Sequence, residues 1–364
     1  MSDIDAWISH GVYDPAEPAA AQRLELLRWL IDQQVPLDEI VEAARVGQLT
    51  SVAGDRALRP GLRLTMAEVS AASGMHPAAV AAVHRASGMP TAGIDDAVYT
   101  VDDLEMFSLF KIAADFFSDA ELIHFVRVLG SSLRRIAEAA SEMFLRDVEA
   151  PIQEGGASAP LDVAKANLAG VQLARGATGV FDPMFRAHLE AATATTRRAR
   201  ADTHDYATTP LTIGFVDLSG FTTRSGALDP QELLRLVMTF ESVSLDLISA
   251  RGGRLVKLIG DEVMFSVVEP AEACIIAQGI VDQACTWAAG ARGGVAHGLV
   301  IASGGDVYGE TVNLASRITD IAVPGEVLVN EAVVQRADSL AFLPAGRRQL
   351  KGFAEPVRLW SLDV

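Results

Sequence analysis

Three short segments in the second half of the chain carry side chains that could do chemistry together. They supply carboxylates, a lysine, an amide and an arginine. Carboxylates and phosphate oxygens are the usual ligands of Mg²⁺, and cationic side chains stabilise charge on a phosphoryl group. The set therefore favours phosphoryl chemistry on a nucleoside triphosphate with two metal ions. The segments are Phe215–Thr222, Lys257–Asp261 and Asp306–Arg317.

The two carboxylates that could hold metal ions are Asp217 and Asp261. The first follows a predicted buried strand, and the second belongs to the Gly-Asp turn of a predicted tight hairpin. Both are expected at strand ends, facing one cleft. Taken singly, Asp217 could merely cap its turn and Asp261 could merely form its hairpin. As a pair, they are predicted to hold two divalent ions, Mg²⁺ or Mn²⁺, together with substrate phosphates.

The elements that would position these residues are short β-branched runs that alternate with amphipathic helices, which predicts an α+β sandwich after Pro210. A helix should begin at Pro230, because Asp229 and Glu232 form a capping box. A second helix, over 311–319, would place residues four apart on one face. The predicted strands are Leu211–Val216, Leu255–Ile259, Val263–Val267, Gly294–Ile301 and Glu326–Val329.

The same segments resemble the catalytic domain of the class III adenylyl cyclases over residues 210–364. The resemblance implies a ferredoxin-like α+β fold and two divalent metal ions as cofactors. It implies attack of the ribose 3′-oxygen of ATP on the α-phosphorus, which gives 3′,5′-cyclic AMP and pyrophosphate. In the family the metal aspartates of one subunit face the base-binding and transition-state residues of another. A homodimer with shared active sites is therefore expected.

Two residues match the positions that recognise the base in these cyclases, Lys257 and Asp306. Adenine presents a donor at N6 and an acceptor at N1, so an aspartate and a lysine are complementary to it. Guanine reverses that pattern, and each buried polar group left unpaired costs roughly 1–3 kcal/mol. ATP is therefore expected to be preferred over GTP. Without this context, Lys257 would be taken for a surface-facing strand lysine.

The resemblance also implies residues for the ribose and the phosphates. Asn313 would orient the ribose, and Arg317 would meet the charge that develops on the α-phosphate. Arginine suits this role because its planar donors stay charged and fit phosphate oxygens. Lys351 matches the lysine that contacts the terminal phosphates. Phe221 and Thr222 are expected to contribute to substrate binding.

The first half of the chain is rich in Ala and Leu at helical spacing, which predicts an all-α domain over 1–180. A connecting helix or linker, 181–209, would join it to the catalytic domain, 210–364. Residues 64–85 predict two short helices about a Gly turn and resemble the MerR-type DNA-binding fold. The second of these helices offers only Arg85 as a fixed cation, although DNA binding needs cations that face phosphates. A packing or regulatory module is predicted instead, with no nucleic-acid partner.

Regulation by this helical half is expected, because the whole chain resembles mycobacterial soluble cyclases with a helical, autoinhibitory N-terminal domain. Its apolar stripe is predicted to be core, with a lipid or other small molecule between the helices as the alternative. A proton signal is conceivable because His188 and His204 flank the junction. Bystander histidines are the simpler interpretation. The stripe includes Phe107, Phe110, Ile123, Val126 and Leu129.

Composition limits the classes of protein. With 364 residues, half of them apolar, two domains are expected. The net charge of −17 disfavours polyanionic partners. Neither a secretory signal nor a transmembrane segment is predicted. Cys274 and Cys285 would lie roughly 16 Å apart along one helix, too far for a disulfide. A cytoplasmic protein, at most peripheral to a membrane, is expected.

Other functions fit parts of the pattern. A cyclase-like module without catalysis could serve as a dimerising signal receiver, although the metal and transition-state positions are intact. A transcription factor with a nucleotide-sensing tail would account for residues 64–85, and a guanylyl cyclase is a minor variant of the leading hypothesis. A diguanylate cyclase is disfavoured, because Gly304-Gly-Asp306 continues as Val-Tyr and not as Glu-Phe.

Overall fold

The computed structural model describes residues 3–90, 92–154, 160–201, 207–221, 225–226, 228–288 and 290–363. It divides the chain into two compact units, Met1–Arg186 and Ala187–Val364. Each unit has hydrophobic cores of its own. The predicted domain limits at 180 and 210 stay predictions.

The first unit is helical. Its elements are α1 Asp3–Ser9, α2 Ala20–Asp32, α3 Leu37–Arg45, α4 Val52–Leu58, α5 Met66–Ser73, α6 Pro77–Ala86, α7 Asp103–Ala113, α8 Asp119–Phe144, a π-helical turn Leu145–Glu149, α9 Ala150–Glu154 and α10 Pro160–Ala199, whose last part belongs to the second unit. Among the helices of the described ranges, none is both long and apolar enough to cross a membrane.

Residues 64–85 form two short helices about a glycine turn, as predicted. A reciprocal capping box between Thr65 and Glu68 begins α5, and Gly74, at φ 66°, ends it. The side chain of His76 caps the start of α6. The inner face of α6 is buried in the core that it shares with α5, α7 and α8. This pair of helices therefore packs against its own unit.

The apolar stripe on α7 and α8 is core over most of its length. Phe107 and Val126 are buried, and Phe110 and Ile123 pack against the same cluster. The prediction was wrong for Leu129, which is 43% exposed. The reason is that α8 leaves the body of the unit, and its residues 131–143 are all exposed.

The last helix before the catalytic strands starts earlier than predicted. The connecting helix or linker was predicted over 181–209, and the glycines before it, which lower helix propensity, give no signal for an earlier start. The observed helix, α10, begins at Pro160 and continues through Pro183. Residues 202–206, with His204 among them, lie outside the described residues.

The second unit is α+β. Its elements are β1 Thr209–Leu218, α11 Pro230–Ala250, β2 Arg254–Ile259, β3 Glu262–Val267, α12 Pro270–Trp287, β4 Ala291–Ser303, β5 Asp306–Tyr308, α13 Glu310–Ile321, β6 Val327–Asn330, α14 Glu331–Val334, β7 Ala341–Arg348 and β8 Val357–Asp363. The strand order is β2-β3-β1-β4-β6-β8-β7, and β5 pairs with β4. The pair β4 and β6 is parallel, and the other pairs are antiparallel.

Alternation along β1 divides the apolar side chains between the two faces of the sheet. Val216 and Leu218 pack in one core with residues of α11 and α12. Ile213 and Phe215 pack in the other core with residues of α13. The sheet therefore lies between two helical layers, and β1 contributes to both.

The helix α13 lies close to β4, because β4 presents small residues on that face. A Cβ atom on Gly294 would lie 2.4 Å from the backbone nitrogen of Thr319, and one on Gly298 would lie 2.5 Å from Oγ1 of Thr311. Ala296 stands between the two glycines, in the core under α13. This close approach fixes the position of the helix that carries the predicted ribose and phosphate residues.

All five predicted strands are present, and so are the helices predicted from Pro230 and over 311–319. The capping box of Asp229 and Glu232 is present as well. Three strands were missed. β5 is only three residues long, and β7 contains Pro344 and a register shift, which obscure the alternation that marks a strand. β8 was not recognised from the sequence either.

Gly294→Ala should destabilise the second unit, because the added methyl group would meet the backbone of α13 and not a movable side chain. We expect a loss of about 1–3 kcal/mol, as for other overpacked cores. Scanning calorimetry of the whole chain would show it as a lower unfolding temperature. Gly279→Ala, on α12, is the matched control, because its Cβ would meet Leu247 at an ordinary 3.5 Å. Equal losses in both variants would contradict the close approach.

Candidate active site

The first group of site residues lies where β1, β3 and β4 meet. Asp217 on β1 is directly opposite Glu262 on β3 and Arg292 on β4. Residues directly opposite one another in antiparallel strands share a face. By the alternation of β1, this is the face that α13 covers. The sheet therefore sets two carboxylates and a guanidinium side by side.

Asp261 joins this group from the turn between β2 and β3. Gly260, at φ 66°, permits the turn. The backbone N–H of Leu218 donates to the carbonyl of Asp261 at 3.1 Å, which holds the turn beside the end of β1. Asp217, Asp261 and Phe221 line one cleft of about 370 Å³.

Arg292 joins the carboxylate cleft to α13. Its Nε and Nη2 donate to Oδ2 of Asp217 at 3.0 and 2.9 Å. Its Nη1 donates to the carbonyl of Asp320 at 3.0 Å. That carbonyl belongs to the last turn of the helix, where backbone acceptors lack partners within the helix. One guanidinium group thus donates hydrogen bonds both to the carboxylate of Asp217 and to a backbone carbonyl at the end of α13.

Negative charge is in excess in this cleft. The pKa of Glu262 is raised to about 7, first by burial and then by the charges of Asp217, Asp320 and Asp261, while Arg292 opposes the rise. Burial likewise raises the pKa of Asp217, and the hydrogen bond from Arg292 opposes this. Crowded, partly buried carboxylates favour a bound cation.

The donor set fits a divalent ion that arrives with a nucleotide. Among the residues that the structure describes, no three His, Cys, Asp or Glu side chains form a ready metal cluster. Mg²⁺ and Mn²⁺ need no such cage, because they accept one or two carboxylates plus phosphate oxygens and water. Asp217 and Asp261 are the carboxylates predicted for this role, and Arg292 engages only one oxygen of Asp217.

The second group is an ion pair between Lys257 and Asp306. Lys257 Nζ donates to Oδ2 of Asp306 at 2.6 Å. The N–H of Val307 donates to the other carboxylate oxygen at 2.8 Å. Burial opposes ionisation of Asp306, but these bonds and the charges of Lys257 and Arg254 outweigh it, so the pKa of Asp306 is lowered. A cationic donor and an anionic acceptor therefore stand next to one another.

A tight hairpin holds Asp306 in place. Gly304 and Gly305 join β4 to β5 with φ angles of 60° and 79°. Two positive φ angles are what a two-residue type I′ turn requires. Arg254 Nη1 donates to the carbonyl of Gly305 at 2.5 Å and fixes the turn against β2. The link between β4 and β5 is thus only two residues long.

The third group lies on and beside α13. Asn313 and Arg317, one turn apart, line a second cleft of about 530 Å³ together with Lys351. Arg317 Nη1 donates to Oδ2 of Asp320 at 2.8 Å. An amide, a guanidinium and an ammonium group therefore converge on one surface, which suits a ribose and phosphates.

The sequence alone missed Arg292, Glu262 and Asp320. No local motif marks the first two, since only the register of β1 with its neighbours brings them to Asp217. The three-residue spacing from Arg317 was the available signal for Asp320. Thr222 lies outside the described residues, so its role stays a prediction.

Known proteins resemble the chain over both of its units. The family described as "Adenylate cyclase regulatory domain" matches residues 10–192. An uncharacterised protein of Mycobacterium tuberculosis is 33% identical and covers 99% of this chain and 94% of its own length. An adenylate cyclase of Streptomyces griseus is 30% identical and covers 89% of this chain and 73% of its own length. The chain belongs to the class III adenylyl cyclases.

A third relative is named a pH-sensitive adenylate cyclase, also of M. tuberculosis. It is 29% identical and covers 98% of this chain and 91% of its own length. In this cyclase, the helical first unit includes most of the matched regulatory region, and the second unit holds the three groups of site residues.

The pKa of Glu262 leads to a testable pH dependence of the cyclase's stability. The folded carboxyl holds its proton up to about pH 7, whereas its ordinary pKa is 4.5. The native state therefore binds more protons than the unfolded state in this window, and stability falls as pH rises through it. We expect Glu262→Gln to lose less thermal stability than the wild type between about pH 5 and pH 7.5 in the presence of a chelator.

The exposed Glu241 on α11 provides the control. The unfolding temperature of Glu241→Gln should change with pH as that of the wild type does. Unfolding temperatures measured at both pH values in matched buffers would decide the question. The same pH slope for Glu262→Gln and the wild type would contradict a raised pKa at this position.

Proposed function

We propose that this cyclase converts ATP into 3′,5′-cyclic AMP and pyrophosphate. The ribose 3′-oxygen loses its proton and attacks the α-phosphorus in line, and the bond from that phosphorus to the β-phosphate oxygen breaks. One observation carries the proposal. Lys257 Nζ lies 2.6 Å from Oδ2 of Asp306, and the same sheet brings Asp217 and Asp261 together in one cleft. Catalysis would come mainly from positioning and electrostatics, as in other phosphoryl transfers.

The cleft beside α13 would bind the reacting part of the nucleotide. Arg317 remains charged and offers planar donors, so it suits the charge that develops on the α-phosphate. Asn313, one turn earlier, would orient the ribose. Lys351 would meet the terminal phosphates. Phe221 and Thr222 would complete the substrate site.

Asp217 and Asp261 would hold two divalent ions, Mg²⁺ or Mn²⁺. Such ions lower the pKa of an attacking hydroxyl group and neutralise a leaving pyrophosphate. The bonds from Arg292 to one oxygen of Asp217 orient that carboxylate and leave its other oxygen for a metal. The residues of this chain thus prepare the site before the nucleotide enters.

The ion pair of Lys257 and Asp306 supports ATP as the preferred substrate. Asp306 keeps its charge, because its pKa is lowered, and it can accept a hydrogen bond from adenine N6. Lys257 can donate to adenine N1. Guanine would set a carbonyl against the carboxylate and an N–H against the ammonium group. The mismatch would leave both unpaired, at roughly 1–3 kcal/mol for each group.

We infer that two copies of the chain share their active sites. The carboxylate cleft and the cleft beside α13 have no lining residue in common, and neither is lined by Lys257 or Asp306. The β4–β5 hairpin exposes an apolar surface formed by Leu299, Ile301 and Tyr308, each at least 50% exposed. A second copy on this surface would cover it and would bring further site residues to Asp306.

The core of the catalytic unit supports a ferredoxin-like description. Its first four strands and two helices follow one another as β-α-β-β-α-β, and these strands are ordered β2-β3-β1-β4 in the sheet. That chain order is the one that defines the ferredoxin-like motif. The catalytic domain would span 210–364.

The helical half is proposed to regulate the cyclase by autoinhibition. Its support is the match of residues 10–192 to a regulatory domain and a relative named as pH-sensitive. A proton, a lipid or another small molecule is the proposed signal, and His188 on α10 is exposed. We propose a cytoplasmic protein, at most peripheral to membranes, with no nucleic-acid partner.

Mixing two inactive variants tests the proposed reaction and the shared sites together. Asp217→Ala and Arg317→Ala should each lower the conversion of ATP to cyclic AMP by about 100-fold or more. A mixture should regain up to about a quarter of the wild-type activity, since half of the dimers are mixed and each has one intact site. The readout is cyclic AMP formed with Mn²⁺ or Mg²⁺.

The matched control is a mixture of Asp217→Ala with Asp261→Ala. Each variant lacks one of the two proposed metal carboxylates, so no site in a mixed dimer is intact and the mixture should stay inactive. Loss of activity in both mixtures would contradict shared sites. A wild-type chain that turns over GTP faster than ATP would contradict the base assignment. One that makes no cyclic nucleotide would leave the dimerising, catalytically silent module as the better hypothesis.

Removal of the helical half tests autoinhibition. A chain of residues 187–364, the second compact unit, should make cyclic AMP several times faster than the whole chain under the same conditions. The Asp217→Ala form of the short chain should be inactive and shows that the product comes from this site. An equal or lower rate for the short chain would mean that the helical half does not inhibit.

A further inference from the structure

Asp320 holds the proposed transition-state arginine in this subunit and lies at the rim of the carboxylate cleft. Its Oδ2 accepts a hydrogen bond from Arg317 Nη1 at 2.8 Å. The same residue lines the cleft of Asp217 and Asp261. Arg317 lines the other cleft, with Asn313 and Lys351. The ion pair therefore connects the two clefts of one subunit.

The backbone of Asp320 is fixed independently of its side chain. Its carbonyl accepts a hydrogen bond from Arg292 Nη1 at 3.0 Å, and Arg292 also holds Asp217. A continuous series of contacts thus runs from Asp217 through Arg292 and Asp320 to Arg317. Each contact is between groups with opposite charge or between a cation and a carbonyl oxygen.

Local helix energetics do not account for this arrangement. Asp320 is in the last turn of α13, where the helix dipole disfavours a negative charge. The pair has its cation on the N-terminal side, which is the weaker orientation for an ion pair within a helix. Both side chains are about half exposed, so the pair adds little to stability. A role in orienting Arg317 explains the residue better than a role in stabilising the helix.

We propose that Asp320 is a positioning residue for Arg317. Its carboxylate holds one terminal nitrogen, while Nη2 and Nε of Arg317 have no hydrogen-bond partner among the described residues and remain for phosphate oxygens. The proposal rests on the proposed function, since it assigns Arg317 to the reacting phosphate. A cation that is already held in place does not have to be reoriented when charge develops on the phosphate, so it stabilises the transition state at a lower cost.

Asp320→Asn tests this role, because it keeps the size of the side chain and removes the charge. We expect kcat to fall about two- to five-fold, the range that corresponds to a partly exposed ion pair. The KM for ATP should change little, because Arg317 acts in the transition state. The thermal unfolding temperature should stay the same or rise, because an unfavourable charge leaves the helix end. Asp320→Glu should recover part of kcat.

Glu272→Gln is the matched control in the same unit. Glu272 pairs with Arg251 at 3.2 Å with similar exposure, away from both clefts. Its loss should leave kcat unchanged. The measurements are steady-state rates on the whole chain and scanning calorimetry of each variant.

Three results would overturn the positioning role. They are an unchanged kcat in Asp320→Asn, a lower unfolding temperature that accompanies the loss of kcat, and a higher Mn²⁺ requirement with kcat intact. The last would make Asp320 a metal ligand. A wild-type chain that makes no cyclic AMP would instead overturn the proposed function itself, and with it any catalytic role of Asp320.

Discussion

The close contact between α13 and β4 is the constraint on which the catalytic unit depends. Gly294 and Gly298 leave no room for a side chain between strand and helix. Because packed interiors do not deform continuously, the helix can occupy only one height above the sheet. That height decides where Arg317 and Asp320 stand relative to the strand ends. The positions of the site residues on α13 are therefore set by core packing.

The second constraint is electrostatic. The register that forms the sheet also places Glu262 directly opposite Asp217, an unfavourable arrangement of like charges. Burial and, after it, this repulsion raise the pKa of Glu262 to about 7. Arg292 relieves part of this repulsion, and any cation bound by the native state would relieve more. A cation that binds only the native state would therefore also stabilise the fold.

Local signals explain what the sequence could predict. The five strands were recognised by alternation and α11 by its capping box. The proposed base and phosphate residues were singled out by motifs in which neighbours are close along the chain. Arg292 could not be predicted in this way, because it is 75 residues from Asp217 and meets it only through strand pairing. β5 and β7 were missed because short or interrupted strands lack a clear period. α10 and the exposed Leu129 show the same limit in helices, since propensity and periodicity do not say where a helix leaves the core.

Both faces of the sheet carry an apolar core, and the carboxylate cleft lies at the end of β1 on the α13 face. On the α12 face, β1 contributes Val216 and Leu218 to an apolar core that includes Phe265 and Ile280. A fully buried side chain of this size contributes about 1.5–3 kcal/mol, whereas a partly exposed ion pair contributes about 0–1 kcal/mol. The two apolar cores therefore stabilise the fold, and the ion pairs at the strand end mainly orient the side chains of the site. This division allows one strand end to keep crowded carboxylates that would be unfavourable if the fold relied on them.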